Sequence, residues 1–399
     1  MNFLKTIPKL FFWSCLITVN LATTIASHAQ IKLSPEIILD PSAPITLSKE
    51  QALDFFLIEL AIRENLSIET LREAFRDVKS QSIARQYMVP SFSGKGRKNW
   101  NAYRSNVMNT IRLDAGKRFI QEHHAFLQQL EKSTSVPMSI VVGILGVETV
   151  YGRNMGSFPV RDVLTTFAFD YPPSANRAGR EAMFKEQLRD HILNCIDTLK
   201  LSPVSSDLLR TCLMQEGSFA GAIGMPQFMP SSIRQFARDG NGDGKIDLRS
   251  SPEDAMQSIA QFLLEHGWKT SEPIYLSISP EMQESSIVKE LADGDPNPKF
   301  TLGELKNKKI IANWPSTLDE NSPALIVDLP RIEKDGSTKV DYLVGLRNFE
   351  VITQYNRSFF YAMSVTEFGQ AVIQNGWSTK NAKPGKSLST NTGHHGHKR

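Results

Sequence analysis

The residue best suited to chemistry is Glu148, a single carboxylate at the end of an apolar run. Residues Ile140 to Val147 carry no polar side chain. A helix that is apolar on every face lies inside a protein, and burial raises the pKa of a carboxyl group because the charged form loses its water. Glu148 is therefore expected to hold its proton near neutral pH, as a general acid must. A structural Glu at the rim of a core fits the same pattern.

The element that must position Glu148 is the apolar run itself. Its β-branched residues also suit a strand, but its length and end signals favour a helix. Ser135 can cap such a helix, Pro137 suits its first turn and Gly152 suits its end. This arrangement predicts a buried helix with Glu148 on its last turn.

The first 29 residues have the organisation of an export signal. Lys5 and Lys9 precede a mostly apolar run from Leu10 to Leu21, and a small-residue cleavage site ends at Ala29. The apolar run is short for a membrane span. We therefore expect a signal peptide over residues 1–29 that is cleaved, which leaves a soluble periplasmic protein without a stable membrane anchor.

Charge and cysteine content narrow the possible classes of protein. The chain has 399 residues and a formal net charge of +3, which falls to +1 when residues 1–29 and their two lysines are removed. Such a balance does not indicate nucleic-acid binding. Cys195 and Cys212 remain after cleavage, and in an exported protein they either form a disulfide or stay as two buried thiols. Neither has metal ligands at zinc-site spacing.

A loop at residues 239–247 matches the first nine positions of an EF-hand calcium loop. Ligand positions of that pattern are occupied by Asp239, Asn241, Asp243 and the carbonyl of Lys245. The twelfth position departs from the EF-hand pattern, because Ser250 stands where Glu is expected. Glu253 or Asp254 could instead supply the closing carboxylate. A solvated turn rich in Asp and Gly is the alternative.

The order of helical and β-type segments predicts an α+β fold that is mainly α. The predicted divisions are a signal peptide at 1–29, an extended lead-in at 30–46, an α-rich catalytic core at 47–274 with the EF-hand-like loop at 239–254, a small β-rich subdomain inserted at 275–345, a helical return to the core at 346–377 and a disordered tail at 378–399.

Several separated segments together resemble the membrane-bound lytic murein transglycosylase B family. They are residues 144–153, 168–172, 218–232, the loop from Asp239, and 355–358, and the likeness covers roughly residues 45–375. The resemblance implies a lysozyme-like helical core. It also implies cleavage of the β-1,4 bond between N-acetylmuramic acid and N-acetylglucosamine in peptidoglycan, with a 1,6-anhydro-muramic product and no water consumed.

The same resemblance implies roles for individual residues. Glu148 acts as the catalytic acid and then as the base. Positions that line the sugar cleft are Ser218, Gln227, Tyr355, Asn356 and Tyr361. Positions of the calcium loop are Asp239, Asn241, Asp243, Lys245 and Asp254. It implies peptidoglycan glycan strands as partners, a structural Ca²⁺, and no cofactor for catalysis; we also expect a monomer.

Two alternatives remain at this stage. A hydrolytic lysozyme-like muramidase would need a second carboxylate facing Glu148, and Asp162 and Asp170 lie close to it in sequence. A non-catalytic peptidoglycan-binding protein would need only a structural Glu. One departure from the family also stands out, since residues 173–176 separate Tyr171-Pro172 from the arginines expected to follow.

Overall fold

Helices form most of the protein in the computed structural model, which describes residues 47–89, 98–200 and 203–377. The predicted signal peptide, lead-in and tail lie outside these residues. The first helices are α1 Lys49–Glu64, α2 Ile68–Phe75, α3 Ser82–Met88, α4 Trp100–Val107, α5 Thr110–Thr134, α6 Met138–Thr149, α7 Val160–Phe169 and α8 Arg177–Leu199. The later helices are α9 Ser206–Leu213, α10 Pro230–Phe236, α11 Pro252–Glu265, α12 Ser286–Leu291, α13 Leu302–Asn307, α14 Arg347–Tyr355 and α15 Phe359–Trp377.

The strands are β1 Phe158–Pro159, β2 Glu216–Gly217, β3 Tyr275–Ser277, β4 Phe300–Thr301, β5 Pro323–Ile332 and β6 Thr338–Gly345. They pair antiparallel, and β5 and β6, with 10 and 8 residues, are longer than the other four. β1 pairs with β2, and the other four form a sheet in the order β3-β6-β5-β4. The predicted α+β fold with mainly helical content is confirmed, and the four-stranded sheet falls inside the segment predicted to be β-rich.

Buried apolar side chains form three clusters along the described residues. The largest surrounds α6 and includes side chains of α5, α11, α14 and α15. A second lies among α1, α2, α7, α8 and α9, and a third packs under the four-stranded sheet. In the described part of the chain no single helix has the length and apolar character to cross a bilayer; α5 and α6 reach that threshold only as a pair, bent by 120°.

Helix α6 is the buried helix that the sequence predicts. Its buried residues are Ile140, Val141, Val142, Gly143, Ile144, Leu145, Gly146 and Thr149. The predicted cap at Ser135 is wrong, because Ser135 adopts a left-handed conformation and ends α5. Pro137 occupies the N-cap of α6 instead. Its ψ of 135° is extended, which the proline ring allows. Because the proline side chain has no polar atom, α6 begins without a side-chain cap.

Helices α6 and α15 cross in close contact, and this contact depends on glycine. A Cβ added at Gly143 would collide with the Val365 carbonyl, and one added at Gly369 would collide with the Ser139 carbonyl. Neither backbone carbonyl can turn aside as a side chain could. The two helices therefore approach so closely because both positions lack a side chain.

A disulfide joins Cys195 at the end of α8 to Cys212 in α9, with the two Cα atoms 5.7 Å apart. Of the two states that the sequence left open, the structure has the bridge. It closes a loop with a sequence separation of 17 residues. Cross-linking a loop of that length restricts the unfolded chain and stabilises the fold by about 3 kcal/mol in the chain-entropy treatment.

We expect the double replacement Cys195→Ala and Cys212→Ala to lower the free energy of unfolding by about 2–4 kcal/mol. Urea unfolding measures this change. A reductant should shift the wild-type midpoint toward that of the double variant and leave the double variant unchanged. Equal shifts in both proteins, or no shift in the wild type, would show that the bridge does not stabilise the fold.

Candidate active site

Glu148 lies in the last turn of α6 with its side chain partly accessible to solvent. Burial raises its pKa from 4.5 to about 7, and the Tyr361 hydroxyl lowers this pKa by a smaller amount. The Tyr361 side chain is only 2 % exposed, and its hydroxyl makes no hydrogen bond of regular geometry to described residues. It therefore remains available to the Glu148 carboxyl. Near neutral pH Glu148 therefore exchanges between its protonated and charged forms.

Three tyrosines surround this carboxyl. The charge of Glu148 raises the pKa of Tyr103, Tyr355 and Tyr361, after the larger effect of burial in each case. Tyr355 and Tyr361 stack with ring centroids 6.2 Å apart. The Tyr355 hydroxyl donates a hydrogen bond of 2.5 Å to the Pro226 carbonyl. These rings form an amphipathic wall that limits water around Glu148.

The chain immediately after Glu148 has an unusual backbone. Val150, Tyr151 and Gly152 all have positive φ, at 52°, 59° and 82°. A β-branched residue in this region is uncommon and strained. The turn brings the Tyr151 ring over Phe119, with centroids 4.8 Å apart, and aims its hydroxyl between α5 and α6. That hydroxyl is buried without a hydrogen-bond partner among described residues.

Thr149 anchors the end of α6 to the loop that follows β2. Its hydroxyl donates to the Met225 carbonyl at 2.9 Å and accepts from the Gly152 amide at 2.9 Å. Gln227, with φ of 53°, donates from its side-chain amide to the carbonyls of Met155 and Gly224. These bonds leave the Gln227 amide oxygen available for a ligand.

Ser218 and Asn356 occupy turns that border this region. The Ser218 hydroxyl accepts from the amides of Ala220 and Ala222 at 3.2 and 3.0 Å, so its proton can be donated elsewhere. Asn356 is exposed at the turn between α14 and α15. The structure thus brings Tyr355 and Tyr361 together around the carboxyl of Glu148, with the other three predicted positions, Ser218, Gln227 and Asn356, on neighbouring turns.

Sequence reasoning assigned no role to Tyr103 or Thr149. Tyr103 lies on α4, and nothing in the local sequence indicates its approach to Glu148. Thr149 adjoins the acid in the sequence, and its polarity at a fully buried position is the signal that could have identified it. Its hydroxyl links the helix that bears the acid to the loop that bears Gln227.

The two aspartates considered as second carboxylates have cationic partners. Asp162 pairs with the buried Arg161 at 2.9 Å, and Asp170 pairs with Lys49 at 2.6 Å and with Arg85 at 3.1 Å. Among the groups that the structure describes, only burial and Tyr361 act on the pKa of Glu148. Its protonation is therefore not governed by a neighbouring carboxylate.

The loop at residues 239–247 is ordered by its own side chains. Asp239 accepts hydrogen bonds from the amides of Gly242, Asp243 and Gly244. Asn241 accepts from Asp243 at 2.9 Å. Buried Asp254 lies beneath the loop and accepts from the amides of residues 240, 241 and 247. The predicted ligand positions are thus held within one turn, with Asp254 at its base.

Across residues 47–89, 98–200 and 203–377, no cluster of three or more His, Cys, Asp and Glu side chains is arranged to hold a metal ion. The tip of the loop has two carboxylates, Asp239 and Asp243, and an amide oxygen from Asn241. These hard oxygen donors suit Ca²⁺ in type. A cation there would depend on amide and backbone oxygens as well as carboxylates.

Comparison with known proteins defines the class of this protein. The family model described as the transglycosylase SLT domain matches residues 48–370. The chain belongs to this family of lytic transglycosylases, which are enzymes that cleave glycosidic bonds of peptidoglycan. The family resemblance seen in the sequence is thereby confirmed, as is the enzymatic class.

Individual relatives agree with this assignment. The chain is 32% identical to membrane-bound lytic murein transglycosylase B of Escherichia coli (strain K12) over 276 residues, which are 68% of this chain and 67% of that protein. The crystal structure of soluble lytic transglycosylase SltB1 from Pseudomonas aeruginosa superposes with a TM-score of 0.67 at 33% identity, covering 81% of this chain and 99% of that one. Escherichia coli lytic transglycosylase Slt35 in complex with calcium gives a TM-score of 0.66 at 28% identity, covering 81% and 92%.

Proposed function

We propose that the enzyme cleaves the β-1,4 bond between N-acetylmuramic acid and N-acetylglucosamine and leaves a 1,6-anhydro-muramic end. The observation that carries this proposal is the burial of Glu148 in the last turn of α6, which raises its pKa to about 7, in a site where no second carboxylate acts on it among the described residues. A single group with such a pKa can give a proton and then take one back at neutral pH.

The proposed reaction uses Glu148 twice. In the first step its carboxyl protonates the glycosidic oxygen, and the bond between that oxygen and the muramic C1 breaks. In the second step the resulting carboxylate takes the proton of the muramic C6 hydroxyl, whose oxygen forms a bond to C1. The proton lost in the first step is regained in the second, so no water is consumed and no cofactor is required.

The aromatic wall supports both steps. Tyr361 can donate to the Glu148 carboxylate formed after the first proton transfer, which stabilises the charged form. Ser218, Gln227, Tyr355 and Asn356 are proposed to bind the sugars. Of these, Gln227 and Ser218 retain an acceptor and a donor respectively after their internal hydrogen bonds. We further propose that the enzyme is exported, soluble and monomeric in the periplasm and acts on glycan strands there.

Digestion of purified sacculi in ¹⁸O-labelled water tests the proposed chemistry. We expect muropeptides that end in anhydro-muramic acid, lighter by one water than hydrolysed products, and without incorporated ¹⁸O. A hydrolytic muramidase in the same water provides the positive control for labelling. Labelled reducing-end muramic acid as the main product would identify a hydrolase instead.

We propose that the loop at residues 239–254 binds a structural Ca²⁺. The donors are Asp239, Asn241, Asp243, the Lys245 carbonyl and Asp254. Left-handed glycines at 242 and 244, with φ of 77° and 83°, allow the tight turn that brings these oxygens together. Because the Met225 amide donates to the Leu248 carbonyl at 2.8 Å, the ordered loop supports the segment that carries Gln227.

Removal of calcium is expected to lower the melting temperature by a few degrees. A cation at a hundred times its dissociation constant stabilises the fold by about 2.7 kcal/mol. Differential scanning fluorimetry with and without chelator measures this shift. The variant Asp243→Ala should melt at the lower temperature in both conditions.

Asp335→Ala is the matched control, since Asp335 also accepts a hydrogen bond from an amide two residues ahead, in the exposed turn before β6. This variant should keep the full response to the chelator. A wild type that melts at the same temperature with and without chelator would remove the calcium proposal.

A further inference from the structure

A cavity of about 280 Å³ lies beside the turn that follows Asn356. The residues that matter for its chemistry are Lys98, Asp328, Arg357, Ser358, Phe359 and Phe360. Small-molecule sites begin at about 300 Å³, so this space suits the end of a flexible chain better than a whole ligand. Two cations and one carboxylate line it, which indicates a ligand that bears charges of both signs.

The carboxylate is in an exceptional position within the sheet. Along β5, Ala324 and Ile326 point into the apolar cluster under the sheet, and the alternation of side chains places Asp328 on the same face. The Asp328 Oδ1 atom is buried and has no hydrogen-bond partner among described residues. It faces Gly294, where an added Cβ would lie 3.9 Å away.

A buried acceptor without a donor costs free energy of folding. Burial raises the pKa of Asp328, and the charge of Lys98 lowers this pKa by a smaller amount. The carboxylate is thus held in the cavity wall with one oxygen unsatisfied. A ligand that supplies an ammonium or amide donor would complete its hydrogen bonding.

The two cations are available to a ligand. The side chain of Arg357 is 57% exposed, and its guanidinium forms an ion pair with Asp295 at 3.6 Å, a separation beyond hydrogen-bond distance. Asp295 also pairs with Lys299 at 3.2 Å. Arg357 therefore keeps its planar set of donors for a carboxylate, which it can bind through two parallel hydrogen bonds. Lys98 is exposed at the same cavity.

The cavity adjoins the catalytic region through one aromatic layer. Phe360 lines the cavity and packs on Tyr103 and Trp100, with ring centroids 5.5 and 5.4 Å apart. Tyr103 in turn is close enough to Glu148 for the charge of Glu148 to affect it. A ligand held in the cavity would therefore be separated from the acid by two rings, those of Phe360 and Tyr103.

We propose that this cavity binds the peptide stem of the peptidoglycan strand being cleaved, with Lys98 and Arg357 on its carboxylates and Asp328 on its amino group. The inference rests on the proposed function, because the stem is attached to the muramic acid whose bond Glu148 cleaves. Stem peptides carry free carboxylates and, at the diamino acid, a side-chain amine. The cavity offers the complementary charges, cations for the carboxylates and a carboxylate for the amine.

The test compares two substrates and two double variants. The substrates are glycan strands with intact stems and the same strands after an amidase has removed the stems. The variant Lys98→Gln with Arg357→Gln removes both cations from the cavity. The control, Lys289→Gln with Lys306→Gln, removes the same charge from exposed sites on α12 and α13.

We expect the cavity variant to lose about tenfold or more in kcat/KM on stem-bearing strands, since charge-assisted hydrogen bonds are lost. Its kcat/KM on stripped strands should change less than about twofold, and the control should match the wild type on both. If the double variant does not fold, Lys98→Gln alone, at an exposed position, carries the same comparison. Binding of free L-Ala-D-Glu-diaminopimelate to the wild type, followed by NMR, gives an independent readout.

Equal losses on both substrates, or no loss on stem-bearing strands, would overturn the stem site while leaving the proposed chemistry intact. Failure of the proposed function has a different signature, because the wild type would then yield hydrolysed ends from both substrates. A wild type that binds no free stem peptide and cleaves both substrates equally well would also exclude the stem site.

Discussion

The variant Glu148→Gln is expected to lose at least about a thousandfold in the rate of anhydro-muropeptide release from sacculi. General acid–base catalysis contributes about 10²–10⁴, and in the proposed reaction both proton transfers depend on the same carboxyl. Gln keeps the size of Glu but can neither give the proton nor take it back. Chromatography of soluble muropeptides measures the rate.

Glu122→Gln, an exposed change on α5, is the matched control and should retain full activity. Substrate binding by Glu148→Gln should persist, since pull-down with sacculi does not depend on proton transfer. A Glu148→Gln enzyme that still releases anhydro-muropeptides at the wild-type rate would assign catalysis to another residue.

The same variant has a pH-dependent effect on stability. The pKa of Glu148 is about 7 in the folded protein and near 4.5 when unfolded, so the folded state binds more protons between these values. The contribution of Glu148 to the free energy of unfolding is fully present below pH 4.5 and is lost as the pH rises through 7. Glu148→Gln should therefore be more stable than the wild type at pH 8, by up to about 3 kcal/mol, and similar at pH 4. A pH-independent difference would contradict the raised pKa.

The second large effect is expected at the crossing of α6 and α15. Gly143→Ala and Gly369→Ala each insert a methyl group against a backbone carbonyl, so the helices must separate. We expect each variant to lose about 3 kcal/mol or more, or to fail to fold, as measured by urea unfolding. Activity should fall with stability, since α6 bears Glu148 and α15 bears Tyr361.

Gly179→Ala tests whether the crossing, and not the substitution itself, causes the loss. Gly179 is exposed in the first turn of α8, and an added Cβ there meets only the side chain of Asn176. This variant should be neutral or stabilised by up to about 1 kcal/mol because Ala favours helix. Gly143→Ala and Gly369→Ala variants as stable as the wild type would mean that the helices are not packed as tightly as the structure has them.

The local features of the site could be predicted from the sequence because they depend on neighbouring residues. An apolar run of sufficient length specifies a buried helix, and the burial of that helix specifies the raised pKa of Glu148. Likewise Ser48 and Gln51, which stand three positions apart as in a capping box, form a reciprocal cap at the start of α1. Each of these inferences needs only residues within a few turns of one another.

The partners of Glu148 could not be found in this way. Tyr361 is more than 200 positions away along the chain, and it reaches the acid only because glycines on α6 and α15 allow the helices to touch. In the sequence those glycines indicate only close packing, and they do not indicate which helix packs against them. The family resemblance supplied Tyr355 and Tyr361, but it did not reveal Tyr103. The start of α6 was misassigned because Ser135 was needed to end α5.

The left-handed backbone at Val150 matters for attempts to increase the thermal stability of the enzyme. Glycine at this position would relieve strain and is an obvious stabilising substitution. The strained residue, however, fixes where α6 stops and hence the direction in which the carboxyl of Glu148 points. Glycine at residue 150 would let the last turn of α6 adopt more conformations. A gain in thermal stability would then come with a less well-defined position of the carboxyl group that is proposed to transfer the proton.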